Sequence, residues 1–83
     1  LGITQLSVGD NAMLYIGDDT FINTGVIISV RKQVLIGKNC QIANQVIIMD
    51  NDFHGVADRD KPEAPASVII EDHVWLATRC TVL

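Results

Sequence analysis

An all-β fold, a parallel β-helix, is what these 83 residues predict. Three observations carry the prediction. First, an aliphatic residue recurs every six positions at Ile36, Ile42 and Ile48. Second, that set repeats: Ile16, Ile22 and Ile28 lie twenty positions earlier, and Ile70, Leu76 and Val82 restart the phase later. Small or β-branched residues accompany them at Thr20 and Val26, Cys40 and Val46, and Val74 and Cys80. Third, hydrophobic residues make up 48% of the chain and aromatics only 5%, so the apolar content is almost all aliphatic, as narrow stacked strands require. A period of six matches neither a lone helix at 3.6 nor a two-sided strand at 2. It matches a chain that turns a corner every six residues. Three such sides make one triangular coil with aliphatics inside, and a twenty-residue repeat is three hexads plus two extra corner residues.

The chain divides accordingly. Leu1 to Tyr15 is the least regular part; Val8, Ala12 and Leu14 read as part of an earlier turn, and Gly9-Asp10-Asn11 is good turn chemistry. Ile16 to Val30 is a clean coil. Arg31 to Gln33 is a polar corner. Val34 to Met49 is a second clean coil. From about residue 50 to 67 the period breaks, and this stretch holds both prolines, Pro62 and Pro65, and the charged run Asp58-Arg59-Asp60-Lys61. It reads as one long loop excursion from a single domain spanning 1–83. A loop of that length in a compact fold is usually functional or disordered. Val68 to Leu83 resumes the coil.

Composition excludes some functions. A net charge of -4 offers no nucleic-acid surface. No apolar run reaches membrane-spanning length, and no signal peptide is visible at Leu1. Cys40 falls in a small inward slot between Thr20 and Val74, and Cys80 stacks over Val46. Both read as small buried hydrophobes and not as a disulfide, which fits a reducing cytoplasm.

The units Ile16-Gly17-Asp18-Asp19-Thr20-Phe21, Ile36-Gly37-Lys38-Asn39-Cys40-Gln41 and Ile70-Glu71-Asp72-His73-Val74-Trp75 resemble the hexapeptide-repeat signature of left-handed β-helix acyltransferases. The left hand rests on this resemblance, because a hexad pattern does not set handedness. Asp50-Asn51-Asp52-Phe53-His54-Gly55 resembles the acidic His segment of the sugar and polysaccharide O-acetyltransferase branch. Val74-Trp75-Leu76-Ala77 resembles that branch's Trp-containing repeat. The resemblance implies acetyl transfer from acetyl-CoA to a sugar hydroxyl, in a homotrimer with active sites between subunits. His54 is the expected general base, since imidazole titrates near neutral pH and can take the hydroxyl proton. Asp52 or Asp50 can hold its other ring nitrogen. Asn23 matches a family position that contacts the acceptor or the tetrahedral intermediate. Asp50 and Trp75 are expected on the acceptor side, and Ala77 and Thr78 near the thioester. His73 reads as an exposed corner residue.

The chain departs from the family in places. Leu76-Ala77 stands where Ile-Gly is usual, and Arg31-Lys32 is basic where sugar-acetylating relatives are often acidic. The pattern ends at Leu83, where family members continue through coils that line the CoA channel, so a truncated member is expected. The alternative is a non-catalytic β-helix binding or scaffold module without those coils. A zinc site of the carbonic-anhydrase branch is disfavoured, because a catalytic zinc takes three protein ligands and the chain has two histidines. No metal is expected.

Overall fold

The computed structural model describes residues 4–50 and 66–83. Among them are ten short strands and no helix. In chain order they are β1 (Gln5–Val8), β2 (Met13–Ile16), β3 (Phe21–Ile22), β4 (Ile27–Val30), β5 (Gln33–Ile36), β6 (Gln41–Ile42), β7 (Ile47–Met49), β8 (Val68–Ile70), β9 (Trp75–Leu76) and β10 (Thr81–Val82). Each strand from β1 to β7 pairs in parallel with the third one after it. This gives sheet A in the order β1-β4-β7-β10, sheet B in the order β2-β5-β8 and sheet C in the order β3-β6-β9. Successive strands therefore visit B, C and A in turn, and three of them make a tier.

The register reproduces the hexad. Ile16 pairs with Ile36 and Ile36 with Ile70; Ile22 pairs with Ile42 and Ile42 with Leu76; Ile28 pairs with Ile48 and Ile48 with Val82. These residues point to one side of each sheet and join a single core with Val26, Val30, Val34, Cys40 and Val46. The middle tier is the driest: Ile36, Ile42, Val46 and Ile48 are completely buried. The outermost tiers leave one face of each strand uncovered, so Leu6 is 53% exposed although it pairs with the buried Ile28.

Corners are made by a left-handed residue at the third turn position. Asp19, Asn39 and His73 take φ near +60° in the corners from sheet B to sheet C, Gly25, Gln45 and Arg79 take positive φ in those from sheet C to sheet A, and Asn11 does so in the corner between β1 and β2. Turns with positive φ at that position favour Gly and Asn, and Asp and His tolerate it better than bulky residues. His73 is exposed in such a corner, as expected. Stacked corners also come very close. A methyl group on Gly17 would lie 2.7 Å from the backbone of Gly37 and Lys38, and one on Gly37 would lie 2.7 Å from the Asp72 nitrogen.

The small inward residues do more than fill space. Thr20 Oγ1 donates to the Gly37 carbonyl at 2.6 Å and accepts from the Cys40 amide at 3.2 Å. One tier on, Cys40 Sγ approaches the Glu71 carbonyl at 3.1 Å. Cys40 and Cys80 are free thiols.

Two departures from regular stacking occur at the corner between sheets A and B. The corner between β1 and β2 holds four residues and that between β4 and β5 holds two, which is why β1 pairs with β4 at an offset of 22 and β2 with β5 at 20. Between β7 and β8 the offset rises to 34, so the excursion begins and ends at this corner without disturbing the register of β8 on β5.

Candidate functional site

The sequence-derived candidates fall at two corners. Asn23 follows β3 at the corner between sheets C and A. Its amide donates to the Ile42 carbonyl, and Ala43, one tier on, donates to the Leu76 carbonyl. Asn23, Ala43 and Ala77 therefore form one column, with Thr78 beside Ala77. Asn23 Oδ1 accepts from the Thr24 amide at 2.7 Å, which fixes the carboxamide and makes Nδ2 the end directed away from its own turn. Ala77 and Thr78 are exposed, and the Ala77 carbonyl accepts from the Cys80 amide at 3.1 Å.

Trp75 lies on the outer face of sheet C, in register with Gln41 and Phe21. It is 73% exposed, so it does not pack the base of its own tier.

Asp50 lies at the other corner, between sheets A and B. It is only 5% exposed and occupies the inward position that Val8 and Val30 fill in earlier tiers. A carboxylate belongs in an apolar column only if fully hydrogen-bonded. Here the Arg31 amide donates to Oδ1 at 2.8 Å, and the Lys32 and Gln33 amides donate to Oδ2 at 2.6 and 2.8 Å. Three consecutive N–H groups thus form an anion-binding nest around one side chain. The comparison with the preceding corner explains it. There the Met13 amide donates to the backbone carbonyl of Lys32. One tier on, the Asp50 side chain takes the amide of Gln33, the counterpart of Met13. In the sequence Asp50 shows only as the acidic residue that opens the polar stretch. The expected acceptor-side role of Asp50 thus falls on a residue whose two carboxylate oxygens are engaged in a structural nest.

His54 and Asp52 lie outside the described residues. The segment that bears them starts beside Asp50 and ends beside Ala66, whose amide donates to the Asp50 carbonyl at 3.2 Å. Within one chain, Asn23 and Asp50 stand at opposite ends of the strands of sheet A. A four-residue strand is about 13 Å long. The described candidates therefore do not converge on a single point.

Two other surface features stand out. Tyr15, Leu35 and Ile69 form an apolar ladder on the outside of sheet B, and a shallow depression there is rimmed by Glu71 and Asp72. Among the described residues no three His, Cys, Asp or Glu side chains are grouped to hold a metal ion, and no helix is long and apolar enough to cross a membrane. Comparison with protein-family models, with curated proteins and with solved structures finds no match to this chain.

Proposed function

We propose that the three parallel sheets are the walls of a left-handed β-helix of hexapeptide repeats, and that the chain is an acetyl-CoA-dependent O-acetyltransferase acting on a sugar or polysaccharide hydroxyl. The observation that carries the reading is the place of the acidic, His54-bearing segment. It issues from a pinned residue, Asp50, at the one corner where otherwise unbroken stacking is interrupted. Function on a loop held by a rigid scaffold is the common arrangement.

In this reading the acceptor hydroxyl attacks the thioester carbonyl carbon as His54 removes its proton. The tetrahedral oxyanion collapses, the C–S bond breaks, and the CoA thiolate takes the proton back from His54. Asn23 donates through Nδ2 to the oxyanion or the acceptor. Trp75 offers a flat wall to the acceptor, and the open Ala77–Thr78 corner receives the thioester arm. Asp52 orients the imidazole. The separation of Asn23 from the Asp50 corner supports the homotrimer that the resemblance implies, with each site completed by a neighbour. Exposed Tyr15 and Ile69 supply apolar surface for such contacts.

Acetyl transfer from acetyl-CoA to a panel of oligosaccharides tests the proposal. His54→Ala is expected to lower kcat by about 10²–10⁴-fold with folding intact. A folded wild-type chain that neither binds acetyl-CoA nor transfers acetyl would favour the non-catalytic scaffold.

A further inference from the structure

We propose that Asp50 is a positioning residue that fixes where the 51–65 segment leaves and rejoins the sheets, by binding the corner amides of Arg31, Lys32 and Gln33 with its side chain. The proposal rests on the reading that His54 acts from that segment.

Three observations converge on it. The carboxylate is bound by three successive amides, those of Arg31, Lys32 and Gln33, at 2.6–2.8 Å. The backbone of Asp50 is tied on both sides: its amide donates to the Ser29 carbonyl at 3.4 Å, and its carbonyl accepts from Ala66 at 3.2 Å. The departing and returning strands of chain are thus joined at one residue. Finally, the register is intact beyond the excursion, since Val34, Leu35 and Ile36 pair with Val68, Ile69 and Ile70. A carboxylate satisfies the nest because it presents two acceptor oxygens and no donor. Asparagine keeps the shape but turns an NH₂ toward amides that are themselves donors, so at least one bond is replaced by a donor facing a donor.

The test is amide hydrogen exchange and histidine ring NMR on the full chain, comparing wild type with Asp50→Asn and with Asp18→Asn as a control for charge loss at an exposed corner. The chain has two histidines, so His73 is an internal reference for His54. In Asp50→Asn the amides of Arg31, Lys32, Gln33 and Ala66 are expected to exchange about tenfold faster or more, while those of Ile28, Ile36 and Ile42 stay protected. The His54 ring signals are expected to move and those of His73 to stay. Asp18→Asn is expected to change none of them. Should Asp50→Asn not fold, replacing the Lys32 peptide N–H by an ester oxygen removes a donor while leaving Asp50 in place, and the same signals are read. Unchanged exchange at the four amides overturns the proposal. So does a uniform loss of protection across all three sheets, which would make Asp50 a general stability residue. Opened amides with a silent His54 overturn it as well. None of these signals depends on acetyl transfer, so a chain that shows them and transfers nothing refutes the proposed activity and not the positioning.

Discussion

Gly37 has no room for a methyl group. An added Cβ would meet backbone atoms of Glu71 and Asp72 at 2.7–2.8 Å, and backbone cannot swing aside as a side-chain tip can. Gly37→Ala is therefore expected to destabilise the chain by about 2–3 kcal/mol through overpacking. In a chain of this size that lowers Tm by roughly 10–20 °C in a thermal melt. Gly9→Ala is the matched control, because its Cβ would sit 3.5 Å from the Val30 carbonyl oxygen, an ordinary contact. It is expected to be neutral or slightly stabilising, since alanine restricts the unfolded chain. At this scale the sequence is partly transparent. Gly9, Gly17 and Gly37 all follow an aliphatic residue, and nothing in the letters separates the two that are pressed by the next tier from the one that is not. Asp50 was legible as an acidic residue at the head of a polar stretch. Its place in a Val column, and the nest that makes it tolerable there, depend on a hydrogen-bond pattern that the hexad does not encode.

Strands of two to four residues gain little from their own hydrogen bonds; their stability comes from the column of side chains that each one joins. Ile42 in β6 is completely buried between Ile22 and Leu76. Ile42→Ala is expected to cost about 2–5 kcal/mol, because neighbours on both sides are held by parallel pairing and the cavity cannot collapse. Leu6→Ala, in the half-exposed β1, is expected to cost less than about 1 kcal/mol. Denaturant titration of the two variants checks the ratio. The inward columns were read from periodicity alone, and the register confirms them pair by pair. Val8 and Leu14, which the sequence places in an earlier turn, do pair with Val30 and Val34, but the four-residue corner shifts β1 out of the twenty-residue offset and makes this stretch look irregular. The sequence places the excursion at about 50–67, and the regular strands stop at Met49 and resume at Val68.

For the whole molecule, the proposed sharing of each site between subunits has a direct test. If each proposed site is shared between subunits, two inactive variants should complement. Mixing unfolded Asn23→Ala with His54→Ala and refolding them together is expected to restore up to about a quarter of wild-type activity, since a fraction of the interfaces then carries both native residues. Either variant refolded alone is expected to stay inactive. No recovery, in a mixture shown by mass to be a hetero-oligomer, places both residues of each site on one chain. The sites themselves were only half legible. Asn23, Trp75, Ala77 and Thr78 can be placed by counting along the hexads, whereas a polar segment without period leaves His54 and Asp52 unplaced.

The offsets of 20 and 34 also bear on how the chain assembles. Among the described residues no strand has a hairpin partner, so the first pairing of those strands must close a loop of about twenty residues. Closing 34 instead adds only about 0.5 kcal/mol of chain entropy. The excursion is therefore thermodynamically cheap: it makes the pairing of β8 on β5 only about twofold less favourable than a twenty-residue closure.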